Sequence, residues 1–298
     1  MHNQNVPVQG SLFGAPPVAE RRQPVNVASV KQLSPFRYPG GKTWLVPDVK
    51  RWLAHQATKP AHFVELFAGG AIVGLTVAGE GLAEHVTLLE LDGDVAAVWQ
   101  TIWGDDDGAE WLAHRILSFD LTHEHVSAVL ASHPDTIRER AFQTIVRNRT
   151  LRGGILAHGS GLLKFGENGK GIASRWYPDT LARRIRGLAP LRDRITFLEG
   201  DALTYLAAHL NEPATTFFAD PPYTAPGKRA GKRLYRFYEV DHERLFDLCQ
   251  SAAGDFMLTY DDAESVQDMA KRRGFAVTPV LMKNTHHAEM YELLITRA

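Results

Sequence analysis

The sequence predicts an α/β fold: a mostly parallel sheet with an antiparallel edge hairpin, interrupted by an inserted, mainly helical segment. Three observations predict it. From Lys42 onward, short apolar runs alternate with stretches of helical period, the pattern of a parallel sheet covered on both faces. The last two apolar runs lie close enough to pair as a hairpin. Residues 110–190 break the alternation with helices followed by a glycine-rich stretch.

Taken in order, the pattern places a helix at about Thr43 to Ala57 and a strand at His62 to Leu66. A helix follows at Ala71 to Gly79, a strand at Val86 to Leu89 and a helix at Asp94 to Trp103. Within the insert, Trp111 to Leu117, His123 to Ala131 and Thr136 to Asn148 read as helices. The stretch Arg152 to Trp176 reads as a long functional loop. Beyond it, Ile195 to Leu198 and Thr215 to Ala219 are strands around the helix Ala202 to His209. Glu243 to Ala253 and Glu264 to Arg273 are helices flanking the strand Phe256 to Thr259. Phe275 to Met282 and Met290 to Thr296 form the hairpin, joined by a polar turn with His286 and His287. Residues 1–30 lack periodicity and read as a disordered tail. The chain thus divides into the tail, a first sheet segment at 31–109, an insert at 110–190 and a second sheet segment at 191–298.

A chain of 298 residues can bury a sizeable core, and its net charge of −1 advertises no polyanion partner. Charge is nonetheless uneven. Between Thr136 and Arg194 thirteen Arg and Lys face four Asp and Glu, the local excess expected of phosphate contacts. The single cysteine, Cys249, excludes an internal disulfide and a cysteine-rich zinc site. His55, His85 and His209 show no metal-ligand spacing, so no metal is expected. No signal peptide or membrane-spanning run is read, and a cytoplasmic, nucleoid-associated monomer is the expectation.

Two turns carry the chemistry. Phe63-Val64 leads through Glu65-Leu66-Phe67-Ala68-Gly69-Gly70-Ala71 into a helix, and glycines there let the backbone approach a ligand. About twenty residues on, the next strand ends Leu89-Glu90-Leu91-Asp92, where an acid can accept from ribose hydroxyls. The second turn follows Phe217-Phe218-Ala219. Pro221 and Pro222 cannot continue a ladder, so the chain breaks at Asp220-Pro221-Pro222-Tyr223, where open α/β sheets place ligands. Asp220 and a proline carbonyl offer two acceptors, and Tyr223 offers a flat face, a set suited to an exocyclic amine on a planar base. Pro35 to Thr43 is not a P-loop, because Phe36 stands where glycine is needed. Cys249 lies on an amphipathic helix and is no cytosine-C5 nucleophile.

Pro35 to Lys42, Glu65 to Ala71 and Asp220 to Tyr223, in this order and with a basic insert between the second and third, resemble the Dam-like (class alpha) DNA adenine-N6 methyltransferases. The resemblance covers residues 34 to about 296. It implies a Rossmann-like sheet binding S-adenosylmethionine and a target-recognition domain in the insert. Tyr38 and Lys42 would lie by the methionine moiety, and Glu65, Phe67, Ala68, Gly69 and Gly70 would wrap its amino-acid end. Glu90 would meet the ribose, and Asp201 would lie near the cofactor adenine. The family usually has Asp at position 90 and Asn at 92, which leaves open whether Glu90 or Asp92 holds the ribose. Asp220, Pro221, Pro222 and Tyr223 would grip a flipped adenine beside the donor.

Double-stranded DNA is the expected partner. Arg147, Asn148, Arg149 and Arg152 offer forks and an amide for bases or phosphates. Lys164, Lys170 and Arg175 sit among aromatics that could wedge a base step. Lys228, Arg229, Lys232 and Arg233 follow the Asp-Pro-Pro-Tyr turn and are placed to cover the target nucleotide. Two other readings stand beside this one: an RNA adenine or guanine base methyltransferase, and a catalytically silent DNA-binding homologue. Gln9-Gly10-Ser11-Leu12-Phe13 resembles the peptide by which bacterial proteins dock on the replication sliding clamp.

Overall fold

The structure, a computed structural model, describes residues 27–38, 40–157, 159–166, 169–222, 236–283 and 289–298. Its centre is a seven-stranded sheet built from β1 (His62–Glu65), β2 (His85–Glu90), β3 (Ile195–Glu199), β4 (Thr215–Ala219), β5 (Asp255–Asp261), β6 (Ala276–Lys283) and β7 (Glu289–Thr296). The spatial order is β3-β2-β1-β4-β5-β7-β6. The first five strands are mutually parallel, while β7 runs antiparallel between β5 and β6. This is the predicted Rossmann-like arrangement with its edge hairpin. Pro279 occurs in β6, an outer strand, where a missing N–H costs no central ladder bond.

Alternation along the strands fills two cores. Phe63, Leu88 and Phe218 face one side, and Val64, Leu89 and Phe217 face the other. On the first side lie α1 (Val46–His55), α2 (Ile72–Glu80) and α3 (Gly93–Gly104). The second carries α8 (Ala202–Ala208), α9 (His242–Ser251) and α10 (Glu264–Arg272). Cys249 is fully buried in this second core, and burial pushes its thiol well above the usual range, as suits a packing residue.

The insert contributes α4 (Gly108–Leu117), α5 (His123–Ala131), α6 (Ile137–Thr150) and α7 (Pro178–Leu188). Helix α6 packs on α3 and α7 on α4, so Leu112, Ile145, Leu181 and Ile185 join the core beneath the sheet. Sequence reading passed over α7. Its signal was present: Pro178 opens the first turn, and Leu181, Ala182, Ile185 and Leu188 bury one helical face. The stretch from Arg152 to Trp176 is also more ordered than a loop. It holds 3-10 turns at Arg152–Gly154 and Gly171–Arg175, a bridge between Leu151 and Leu162, and buried Leu163, Ile172 and Trp176. Apolar anchors inside a glycine-rich run explain that difference.

Elsewhere the predicted elements recur with small shifts. The helix expected from Thr43 divides into a 3-10 turn, Thr43–Leu45, and α1, which begins at Val46 with Pro47 in its first turn. Val27–Ser29, inside the predicted tail, forms a 3-10 turn. The clamp-like segment Gln9 to Phe13 and the turn with His286 and His287 lie outside the described residues. Among the described residues, no helix is long and apolar enough to cross a membrane.

Candidate active site

Strand order reverses direction at β1, whose neighbours are β2 and β4. A crevice opens outside the carboxyl ends of parallel strands at such a point. A cleft of about 970 Å³ lies there, lined by Tyr38, Lys42, the whole Glu65–Ala71 turn, Glu90, Asp92, Asp201, Asp220 and Pro222. Residues far apart in sequence, from Tyr38 to Pro222, thus share one wall because the carboxyl ends of β1, β2, β3 and β4 lie together.

The glycine turn is tight because other groups crowd it. At Gly69, with φ of +46°, an added Cβ would stand 2.6 Å from the Tyr38 ring. Tyr38 is therefore laid across the turn, and glycine is what permits it. Glu90 braces the turn from β2. One carboxylate oxygen accepts from the Gly69 amide at 2.7 Å and the other from the Asp92 amide at 2.8 Å. Burial still pushes the Glu90 carboxyl up to about 7. Trp99 on α3 donates its indole N–H to the Gly69 carbonyl at 3.0 Å and closes the turn from beneath.

Glu65, the last residue of β1, reaches into α2 and accepts from the Gly74 amide at 2.7 Å. It caps α2 from outside, where Ala71 at the helix start offers no side-chain acceptor. Burial raises this carboxyl to about 8, so it is held largely protonated near neutrality. Asp201 caps α8, accepting from the Thr204 amide at 2.8 Å while lining the cleft.

The candidate catalytic end is Asp220. Its Oδ1 accepts the Thr259 hydroxyl at 2.7 Å and lies 3.1 Å from Lys42 Nζ. Both partners take the same oxygen of a side chain that lines the cleft, and among the described residues Oδ2 has no hydrogen-bond or ion-pair partner. Lys42 Nζ is also 3.1 Å from Glu292 on β7, and both side chains are under a tenth exposed. Pro221 is buried and Pro222 half-buried. Tyr223, Lys228, Arg229, Lys232 and Arg233 lie outside the described residues.

Thr259, Glu292, Arg236 and Asp94 were missed by sequence reading. Glu292 had a signal: it is the one acid among Met290-Tyr291-Glu292-Leu293-Leu294-Ile295, an otherwise apolar strand. Arg236 and Asp94 had none, because their pairing depends on elements distant in sequence. Arg236 contacts Asp92 at 3.4 Å and Asp94 at 2.8 Å, and Asp94 also holds Arg147 at 2.9 Å. Asp92 is thereby engaged twice, as the cap of α3 and as a partner of Arg236.

The insert's basic cluster is redistributed by folding. Asn148 is fully buried and cannot read a base from where it stands. It accepts from the Arg37 amide at 2.9 Å and donates to the carbonyls of Arg37 at 3.1 Å and Gly154 at 2.8 Å. Arg149 is buried and donates to the Pro35 carbonyl, its pKa lowered to about 9 by burial and neighbouring arginines. Arg147 is committed to Asp94. These three residues, expected on the DNA face, instead lash the insert to the Pro35–Lys42 segment and to α3. Further arginines pair with the acidic loop between α3 and α4: Arg138 with Asp105 and Asp107, Arg192 with Asp106, and Arg186 with Glu110 on α4. Arg152, Lys164 and Lys170 are exposed and Arg175 is half-buried, while Phe165 between the lysines is 79 % exposed.

The residues fit S-adenosylmethionine as a donor. Gly69 lets the Tyr38 ring lie across the turn, and acceptors at buried Glu65 and half-buried Glu90 and Asp220 line the cleft, a set that suits a cofactor bearing an ammonium, ribose hydroxyls and a sulfonium. The family model of the D12 class N6 adenine-specific DNA methyltransferases matches residues 38–149. No curated protein sequence matches the chain. Among solved structures, the chain is similar to a putative RNA methyltransferase from Pyrococcus horikoshii, with TM-score 0.41, 10 % identity, and 91 % of this chain and 93 % of that one covered. It is also similar to the putative methyltransferase yhhF from Escherichia coli, with TM-score 0.37, 13 % identity, and 85 % and 86 % covered. A SAM-dependent methyltransferase from Agrobacterium tumefaciens gives TM-score 0.38 and 11 % identity, with 84 % and 59 % covered. The likeness to the D12 class N6 adenine-specific DNA methyltransferases rests on residues 38–149, the part of the chain that carries the Gly69-Gly70 turn and Glu90.

Proposed function

We propose that this protein methylates the N6 amine of an adenine in double-stranded DNA, at a specific site and with the base turned out of the helix. The observation that carries the reading is Asp220, which lines the cleft with Oδ1 held by Thr259 and Lys42 while Oδ2 has no partner among the described residues. When bound, S-adenosylmethionine supplies an electrophilic methyl on a sulfonium. The residues supply what the amine lacks. Adenine N6 is a poor nucleophile because its lone pair is delocalised into the ring. Asp220 Oδ2 and the Pro221 carbonyl can accept its two N–H bonds and draw the lone pair out of conjugation. Thr259 and Lys42 keep the carboxylate oriented, so no reorganisation is needed as charge develops. The two prolines fix the backbone that carries these acceptors.

Tyr223 is proposed to stack on the base, and Lys228, Arg229, Lys232 and Arg233 to close over it. Glu90 is proposed for the ribose. Each of its oxygens holds one backbone amide and keeps acceptor capacity, whereas Asp92 is already committed to the helix cap and Arg236. The insert is proposed as the target-recognition region, with Arg152, Lys164, Lys170 and Arg175 on DNA and Phe165 as a wedge. Gln9 to Phe13 is proposed as a sliding-clamp ligand; unchanged clamp affinity in the Leu12→Ala/Phe13→Ala variant would sink that part.

Incubation of the purified chain with labelled cofactor tests the main reading. Label should enter duplex DNA, and modification-sensitive sequencing of DNA from expressing cells should show N6-methyladenine at one short motif. Label in ribosomal RNA with none in duplex DNA would transfer the assignment to an RNA base methyltransferase. Cofactor binding without any transfer would point to a silent homologue.

A further inference from the structure

Glu292 has no part in the mechanism above, yet it lines the cleft and sits 3.1 Å from the ammonium that Asp220 also contacts at 3.1 Å. Lys42 is 4 % exposed, Glu292 8 % and Asp220 22 %. Two carboxylates around one ammonium leave a net negative charge in a poorly solvated place. Such a cluster is relieved by one more proton. Asp220 is held by the Thr259 hydroxyl as well as by Lys42, whereas Lys42 is the cation beside Glu292.

The surroundings of Glu292 direct the proton to it. From β5, Asp261 stands opposite in the antiparallel register and repels its charge; from β6, the facing residue is apolar Val280. Lys42 before α1 and Asp220 after β4 complete the charged groups described around it. Burial, only partly offset by Lys42, pushes the Glu292 carboxyl up to about 7.

We propose that Glu292 is the proton store of the methyl-transfer site: it gives up a proton when a sulfonium enters the cleft and takes one back when the amine is methylated. The proposal rests on the cleft being an S-adenosylmethionine site. Charge balances throughout. Ionised Glu292 and Asp220 with Lys42 carry −1, which offsets the sulfonium. On transfer the N–C bond forms, the C–S bond breaks, and sulfur keeps the electron pair as a neutral thioether. The amine nitrogen then holds one proton too many. Asp220 accepts it, Lys42 passes one of its own protons to Glu292, and Asp220 returns a proton to Lys42. The site is neutral before and after, and product leaves without a stranded charge.

S-adenosylhomocysteine has the same amino acid, ribose and base but no sulfonium, which isolates the effect. Titration calorimetry of the full chain with each ligand, in buffers of different ionisation enthalpy, counts protons. At about pH 6, S-adenosylmethionine should release about one proton more than S-adenosylhomocysteine, and at about pH 8.5 the two should match. Between these limits the affinity ratio should rise about tenfold per pH unit until it levels off near neutrality. In Glu292→Gln the difference should vanish while S-adenosylhomocysteine still binds, which also shows that the variant is folded. Equal proton release in the parent protein, or an undiminished difference in Glu292→Gln, overturns the proposal. Failure of both ligands to bind removes the cofactor reading and the proposal with it.

Discussion

The cleft and the insert use charge in opposite ways. In the cleft, Glu65, Glu90 and Glu292 are carboxylates shielded from water, with pKa values raised to about 8, 7 and 7. In the insert, thirteen cations over one stretch of sequence suggested a broad phosphate-binding face. Folding commits at least seven of them, Arg138, Arg147, Arg149, Arg184, Arg186, Arg192 and Arg194, to acids or backbone carbonyls of the same chain. A formal count of charge therefore overstates the DNA face, and it understates the cleft, where few charges act with little solvent between them.

Six substitutions sharpen that contrast. The largest effect is expected in the cleft. Asp220→Asn keeps an acceptor for Thr259 but can turn N–H donors toward the amine, and kcat should fall about 100- to 1,000-fold with cofactor binding retained. Single-turnover kinetics with a labelled cofactor measures this, and a wild-type rate would remove Asp220 from the chemistry.

Next come two changes that act on stability. Asn148→Ala removes the hydrogen bonds to the Arg37 amide and to the carbonyls of Arg37 and Gly154, and should cost about 2–3 kcal/mol in urea unfolding. A surface residue that reads DNA would cost almost nothing there. Gly74→Ala sets a Cβ 2.4 Å from a Leu88 methyl and 2.6 Å from the Glu65 carboxyl, and should cost about 1–3 kcal/mol.

On the DNA face, Arg152→Ala should leave stability unchanged and weaken duplex binding. The slope of log affinity against log salt should become shallower by about one. Arg138→Ala, whose guanidinium serves Asp105 and Asp107, should leave that slope nearly unaltered.

A last change concerns pH. Glu65 has a folded pKa raised above its unfolded value, so the folded state holds the extra proton between about 4.5 and 8. For a carboxylate the sign is unfavourable to the fold at high pH: stability falls as pH rises through that window. Glu65→Gln should flatten the decline, read as urea midpoints at several pH values. An unchanged slope would mean that Glu65 is ionised in the fold.

Much of this was legible in the chain itself. Strand and helix periodicity set the sheet, because burying one face imposes a repeat that survives in the sequence. Gly69-Gly70 and Asp220-Pro221-Pro222 marked their turns, because glycine and proline restrict or free the backbone locally. Helix α7 was legible too, through Pro178 and the spacing of Leu181, Ile185 and Leu188, but was overshadowed by the glycine-rich run before it.

What the sequence by itself determined was therefore local: the α/β order, the two chemical turns and the helical insert. Only the tertiary structure decided which charges meet. Lys42, Asp220 and Glu292 are separated by most of the chain, and they converge because the Lys42 segment packs where β4 ends and β7 passes. Asn148 and Arg149 look like surface residues in a basic string, and become interior ties because α6 lies against the Pro35–Lys42 segment. Coulomb energy and desolvation depend on distance and burial, which the order of residues does not contain.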